Sequence, residues 1–185
     1  MNNKLKQDYY VFVDNFITPN RAVSLYNNFK QEVNKYPQAF VKDPQCPSSF
    51  SVYNYKPFLI LLCEQTNFMT EFMGEPMLPS YSYARLYQKN EVLKKHKDRP
   101  SCEISVSLHL NGDSPWDIWF TKPNGEKISY NLKPGQAVIY QGMLSEHGRD
   151  VYQGNNYGQV FLHYVRAEGE HWEHFFDRIN NGCSR

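Results

Sequence analysis

From Pro79 onward the residues alternate in character with a period of two, and this change of period constrains the fold more than any other feature. Side chains on a strand point to opposite faces in turn. Tyr81, Tyr83, Arg85 and Tyr87 therefore share one face of a strand, and Cys102, Ile104, Val106, Leu108 and Leu110 share one face of another. Further strands are expected over residues 116–121, 127–132, 136–141 and 159–165. Between them lie turns at Asn111-Gly112-Asp113, Pro123-Asn124-Gly125 and Lys133-Pro134-Gly135. Many short strands separated by Gly and Pro turns imply a sandwich or barrel rather than a parallel sheet.

The first third reads differently. Residues 9–13 suit a strand. Thr18-Pro19 looks like an N-cap followed by proline at the first helical position. Ala22, Leu25, Phe29 and Val33 follow at helical spacing, so a helix is expected to about Lys35. Pro37, Pro44 and Pro47 mark an irregular loop. A second helix is expected over 57–72, with Phe58, Leu61, Leu62, Gln65, Phe68, Met69 and Phe72 on one broad face and Gly74 as its stop. Neither helix carries a cluster of catalytic residue types, so both should pack on a sheet. Residues 172–178 suit a short terminal helix. The expected division is a helical support (1–78), a β core (79–166) and a C-terminal helix and tail (167–185), all in one domain.

Composition narrows the function classes. Aromatic residues make up 16% of the chain, with 14 Tyr and 12 Phe, which suits strands. A net charge of +1 gives no field for nucleic acid. No apolar run has the length of a membrane span, and Met1-Asn2-Asn3-Lys4 is too polar to open a signal peptide, so the cytoplasm is the expected compartment. Cys46, Cys63, Cys102 and Cys183 form no CxxC pair, which argues against a zinc knuckle or redox motif and for free thiols.

The chemistry centres on His96-Lys97-Asp98. On a strand, His96 and Asp98 point the same way and can share one ion. Two histidines and a carboxylate on one side of a metal leave the opposite positions open, as in non-heme iron(II) oxygenases; closed structural zinc sites use four protein ligands. Chance alone supplies such a pair in about one chain in four of this composition, and Lys94, Lys95, Lys97 and Arg99 make a solvated surface run the competing reading. A third ligand is sought among the other histidines. His109 lies opposite the apolar face of its strand, His163 sits inside an apolar strand as a hydrogen-bonded core residue would, and His171 and His174 fall in the terminal helix pattern. His147 follows the strand Ala137–Tyr140 and a short Gly142 loop, where a residue can reach the mouth of a sandwich on a rigid support.

In combination these segments resemble the iron(II)- and 2-oxoglutarate-dependent dioxygenases, in their prolyl 4-hydroxylase-like branch. Tyr83-Ala-Arg-Leu-Tyr87 leads nine residues later into His96-Lys-Asp98, and residues 99–110 look like the strand that follows. Residues 132–140 resemble the turn and strand before the distal histidine, 159–165 the last core strand, and 11–19 the opening strand into a helix. The resemblance implies a mostly β fold with flanking helices: a double-stranded β-helix, or cupin-like jelly roll, with the N-terminal helices packed on one sheet. It implies that His96, Asp98 and His147 bind iron(II), and that Tyr87 contacts the cosubstrate 2-oxoglutarate. It also implies hydroxylation of an unactivated C–H bond, most simply in a prolyl residue of a peptide or in an amino acid, with ascorbate as an auxiliary reductant. Tyr81, Tyr83, Trp116 and Trp119 can line the substrate mouth or fill ordinary core.

The family places an Arg or Lys about ten residues after the distal histidine, to pair with the far carboxylate of 2-oxoglutarate. Here Asn155-Asn156-Tyr157-Gly158-Gln159 carries no cation. A buried carboxylate needs charge-assisted hydrogen bonds. Arg149 is the first substitute and Arg85 the second, with Gln159 as a neutral partner; the competing reading of Arg149 is a surface ion pair with Glu146 or Asp150. A non-catalytic jelly-roll module that binds a metal or ligand is the alternative function, and a cupin-type hydrolase or isomerase a weaker third.

Overall fold

The computed structural model describes residues 2–177. It opens on a short helix the sequence reading did not anticipate, Asn3–Asp8 (α1), capped by the Asn2 side chain and ended by Tyr9 in the left-handed region. Tyr10–Val13 forms β1. Pro19–Lys35 (α2) begins where expected: Thr18 Oγ1 accepts from the Arg21 amide and Pro19 fills the first helical position, a cap worth about 1 kcal/mol.

The region marked by Pro37, Pro44 and Pro47 is not an irregular loop. A 3₁₀ turn at Pro37–Ala39 leads into a hairpin of Val41–Asp43 (β2) and Cys46–Tyr53 (β3). Asp43 Oδ1 accepts from the Gln45 amide at 2.8 Å, so Pro44 sits in an Asx-type turn rather than in a strand. The helix expected over 57–72 is two helices, Lys56–Glu64 (α3) and Thr66–Met73 (α4), broken at Gln65. The Thr66 hydroxyl donates back to the Leu62 carbonyl at the break, a bond that bends helices. Gly74, at φ +70°, closes α4 as expected.

The β core follows: Met77–Gln88 (β4), Leu93–His96 (β5), Ile104–Gly112 (β6), Ile118–Thr121 (β7), Lys127–Tyr130 (β8), Ala137–Gln141 (β9), His147–Arg149 (β10) and Asn156–Arg166 (β11). They pair antiparallel in two sheets, β1-β9-β6-β11-β4-β3-β2 and β5-β10-β7-β8. Residues 1–78 supply three strands of the larger sheet: β1, the strand expected over 9–13, and the β2–β3 hairpin, which was not expected. The expected terminal helix is a 3₁₀ turn at Trp172–His174; its expected end at Arg178, and Cys183, lie outside the described residues. Cys46, Cys63 and Cys102 are free thiols. No helix among the described residues is long and apolar enough to cross a membrane.

The two faces of the large sheet do different work. Ala84, Leu86, Val106, Leu108, Val160 and Leu162 pack against Ala22, Phe29, Val33, Phe58, Leu61, Leu62 and Met69 of the helices. Each of the Val, Leu, Phe and Met side chains among them contributes about 1.5–3 kcal/mol by burial. The alternate residues face the interval between the sheets, and many are polar: Arg85 on β4, Ser105, Ser107 and His109 on β6, Gln159 and His163 on β11. Cys102 departs from the sequence reading. It lies in a 3₁₀ turn, Pro100–Cys102, and packs with Tyr81, Tyr83 and Phe161 on the inner side, not with Ile104 and Val106.

A candidate metal centre between the sheets

His96 ends β5 and His147 begins β10, and the register sets them directly opposite each other. Their ring centroids are 4.3 Å apart. Asp98 is not on the strand, so same-face alternation is not what brings it to His96. It lies two residues beyond the strand end, in a loop whose Asp98 amide donates to the Gly142 carbonyl at 2.9 Å. That bond turns Asp98 Oδ1 towards both histidines, 3.5 Å from His96 Nε2 and 3.7 Å from His147 Nε2.

The tautomers follow from hydrogen bonding. His96 Nδ1 is 2.8 Å from the Lys94 carbonyl, and His147 Nδ1 is 3.0 Å from the Ser145 carbonyl. A carbonyl only accepts, so each Nδ1 carries the proton and each Nε2 presents a lone pair. Two lone pairs thus face a carboxylate oxygen with no donor between them, an arrangement that a cation satisfies. Burial holds His147 below the usual imidazole range, against the pull of Asp98. Burial opposes the charge on Asp98, but the adjoining histidines outweigh it and hold the carboxyl down at about 2, so it is a carboxylate. Ligands about 2.1 Å from an octahedral ion lie about 3 Å apart, so closure on a divalent cation needs only a small contraction. The donor set fits iron(II).

Gly142 is the tightest point of this loop. A Cβ there would stand 2.2 Å from the Cys102 carbonyl and 2.7 Å from Asp98 Oδ2. Gly142→Ala is expected to displace Asp98, weakening metal binding at least tenfold and costing about 1–3 kcal/mol of stability by overpacking. A Mn(II) titration and a thermal melt check both.

A cavity of about 250 Å³ opens above the three residues, lined by Asp43, Gln45, Tyr53, Tyr81, Tyr83, Arg85, Arg99, Cys102, Phe161 and His163 among others. Of the four aromatics expected at a substrate mouth, Tyr81 and Tyr83 line it. Trp116 and Trp119 do not: Trp116 packs against Tyr87, Tyr152 and Tyr157, and Trp119 against Gly148.

The two arginines differ in their partners. Arg85 lines the cavity, but its guanidinium already pairs with Asp43 and donates to Gln45 Oε1 at 2.7 Å and Tyr87 Oη at 3.2 Å. Arg149 is not the surface ion pair that its neighbours Glu146 and Asp150 suggested. It is 1% exposed, is not among the residues that line the cavity, and lies against the rings of Trp116 and Tyr157. It donates to the Trp116 carbonyl at 2.5 Å, Gln159 Oε1 at 3.2 Å and Tyr157 Oη at 3.4 Å, and its Nε has no partner. No carboxylate pairs with it among the described residues. Gln159, from the segment that lacks a cation, is thereby joined to Arg149, and its amide donates to Ser107 Oγ. Tyr87 is fully buried, and burial pushes its phenol up to about 12, so it stays a donor.

His163 and Ser105 adjoin Asp98, and His109 adjoins Tyr157 beside Arg149. His163 is a hydrogen-bonded buried histidine, as expected, but it also lines the cavity. Ser105 bonds both His163 and Asp98. His109 stacks on Tyr157 with its Nδ1 unpartnered, so Tyr157 touches two groups that each carry an unsatisfied buried nitrogen. Only alternation pointed inward; nothing local marked these residues as neighbours.

No family model and no curated sequence matches the chain. Solved structures do. A prolyl-4-hydroxylase from Pseudomonas putida superposes with a TM-score of 0.70 at 10% identity, over 89% of this chain and 96% of that one. HygX from Streptomyces hygroscopicus, solved with nickel and 2-oxoglutarate bound, gives 0.69 at 11% identity, over 91% and 87%. SnoN, a non-heme alpha-ketoglutarate-dependent epimerase of nogalamycin biosynthesis, gives 0.72 at 11% identity, over 89% and 79%. At such identities the likeness is one of fold, and the chain has the jelly-roll fold of the non-heme iron, 2-oxoglutarate-dependent enzymes.

Proposed function

We propose that the chain is an iron(II)- and 2-oxoglutarate-dependent dioxygenase that hydroxylates an unactivated C–H bond, with His96, Asp98 and His147 as metal ligands. The observation that carries this reading is the pair of Nε2 lone pairs aimed at one carboxylate oxygen, each fixed by a carbonyl on the far ring nitrogen. When bound, iron(II) with dioxygen and 2-oxoglutarate supplies the oxidising power, and the cosubstrate leaves as succinate and carbon dioxide. The protein binds, orients and excludes water. Arg149, buried without a carboxylate partner, is assigned to the far carboxylate of 2-oxoglutarate, with Gln159 holding the guanidinium and Tyr87 donating from the β4 side. A buried guanidinium is costly unless paired, and a dianionic cosubstrate provides the pair.

The cavity restricts the substrate. Its volume of about 250 Å³ is small beside the usual range for drug-sized ligands, about 300–1,000 Å³, and it must also admit the cosubstrate. Tyr53, Tyr81, Tyr83 and Phe161 give it aromatic walls. A small saturated ring such as a prolyl side chain, on a peptide or as an amino acid, suits that space.

The absence of a cation at residues 155–159 favours a second reading, a binding module without turnover. Succinate release by the purified protein, with iron(II), ascorbate and 2-oxoglutarate but no further substrate, separates the two. The enzyme reading expects slow succinate formation that stops when iron(II) is chelated. Iron(II) bound without succinate, and with no metal-dependent uptake of 2-oxoglutarate by calorimetry, would leave the binding module.

A further inference from the structure

Asp98 has two carboxylate oxygens, and they face different partners. Oδ1 faces the two histidines; Oδ2 is 3.3 Å from Ser105 Oγ, which is 2.8 Å from His163 Nδ1. Ser105 has a single hydroxyl proton, with Asp98 Oδ2, the Cys102 carbonyl and His163 Nδ1 all within reach. The anion is the strongest acceptor of the three. If the serine proton goes to Asp98, the short contact to His163 requires the imidazole to donate, with its proton on Nδ1. His163 is buried and packs against Tyr81 with ring centroids 4.5 Å apart and the rings tilted. The proton order is then His163 Nδ1–H to Ser105 Oγ, and Ser105 Oγ–H to Asp98 Oδ2.

We propose that Ser105 and His163 are positioning residues that keep Asp98 bound to the metal through one oxygen only. The inference rests on the metal reading above. Its consequence concerns coordination number. An octahedral ion held by His96, His147 and one Asp98 oxygen keeps three positions open. If Oδ2 were free to swing in, the carboxylate would bind through both oxygens and close one of them. A cosubstrate that chelates the metal through two atoms, plus dioxygen, needs all three. The Ser105 hydrogen bond is made to Oδ2, and the buried His163 holds Ser105 in place.

A competing use of these residues is a second metal position. Asp98, Cys102 and His163 also bring their ligand atoms within 4.8 Å of one another. The hydrogen bonds favour the relay: Ser105 already links His163 to Asp98, and Cys102 Sγ is 3.0 Å from Tyr81 Oη.

The test uses Mn(II), a redox-stable probe of the same charge, with the intact chain. Water-proton relaxation counts inner-sphere waters, and wild type is expected to show about three, the positions left by three protein ligands on a six-coordinate ion. Ser105→Ala is expected to lose one water and to bind Mn(II) about 10- to 100-fold more weakly, the usual effect of removing a group that orients a ligand. Ser105→Thr, which keeps the hydroxyl, should restore both. His163→Phe should resemble Ser105→Ala, and His163→Gln, which keeps a donor, should lie nearer wild type. A merely structural role would not change the water count in a variant that melts like wild type. Normal affinity and an unchanged water count in Ser105→Ala would overturn the relay alone. Failure of wild type to bind Mn(II) would overturn the metal reading and the relay with it. A sulfur-to-metal charge-transfer band with Co(II), lost in Cys102→Ser, would show that Cys102 is a ligand and overturn the relay in favour of the second metal position.

Discussion

Arg149→Met is expected to weaken 2-oxoglutarate binding by about 30- to 4,000-fold, the range for removing one partner of a buried charge pair at about 2–5 kcal/mol. The residue is 1% exposed, carries an orphaned Nε, and has no carboxylate to pair with among the described residues. The same facts give the substitution a second signature. An unpaired buried charge destabilises the free protein, so the methionine variant should melt no lower than wild type without ligand, while losing the stabilisation that 2-oxoglutarate confers. Calorimetry with Mn(II)-loaded protein and a melt with and without 2-oxoglutarate measure both. Arg85→Met is the control. Arg85 is already paired with Asp43, so its loss should leave an unpaired carboxylate and lower the melting temperature. If Arg85→Met removes 2-oxoglutarate binding and Arg149→Met does not, the anchor is Arg85.

His147→Ala is expected to abolish metal-dependent succinate formation and to reduce metal affinity by at least a hundredfold. His147 is 1% exposed, opposite His96 in the strand register, with its proton fixed by the Ser145 carbonyl. Its ring also packs against Phe120 and Tyr140, so alanine leaves a cavity and costs a few kcal/mol of stability by lost packing. His147→Gln separates the two effects: it fills most of the space but lacks the imidazole lone pair. A glutamine variant that melts near wild type yet binds no Mn(II) would assign the loss to ligation. One that binds Mn(II) normally would remove His147 from the metal site.

Several parts of this arrangement could be read from local sequence, because local physics decides them. Thr18-Pro19 starts α2, Gly74 ends α4, and alternation along β4 and β11 separates inward from outward side chains. The β2–β3 hairpin was hidden because its prolines suggested a loop, although Asp43 needs Pro44 only as a turn residue. Strand alternation cannot pair His96 with Asp98, because β5 ends at His96. Asp98 reaches the site through a loop bond to Gly142, 44 residues downstream. Alternation extended back from β6 puts Cys102 on the apolar face, but the 3₁₀ turn at Pro100–Cys102 resets the phase. Arg149 emerged from the missing cation at 155–159, but its burial against Trp116 and Tyr157 depends on three separate segments. Ser105, His163 and Asp43 contact their partners across 7, 58 and 42 positions of sequence, and no periodicity reports such a meeting.

The large sheet keeps its apolar and polar duties on opposite faces, and this has a consequence for how the protein can change. Alternate residues of β4, β6 and β11 answer to different requirements: Ala84, Leu86, Val106 and Leu162 to packing under the helices, Arg85 and His163 to the chamber, and Ser105 to Asp98 beside it. Substitutions that tighten the helix layer can therefore accumulate without redrawing the chamber, and the chamber can be reshaped without loosening the helix layer. A strand in this sheet is two independently adjustable sequences, interleaved.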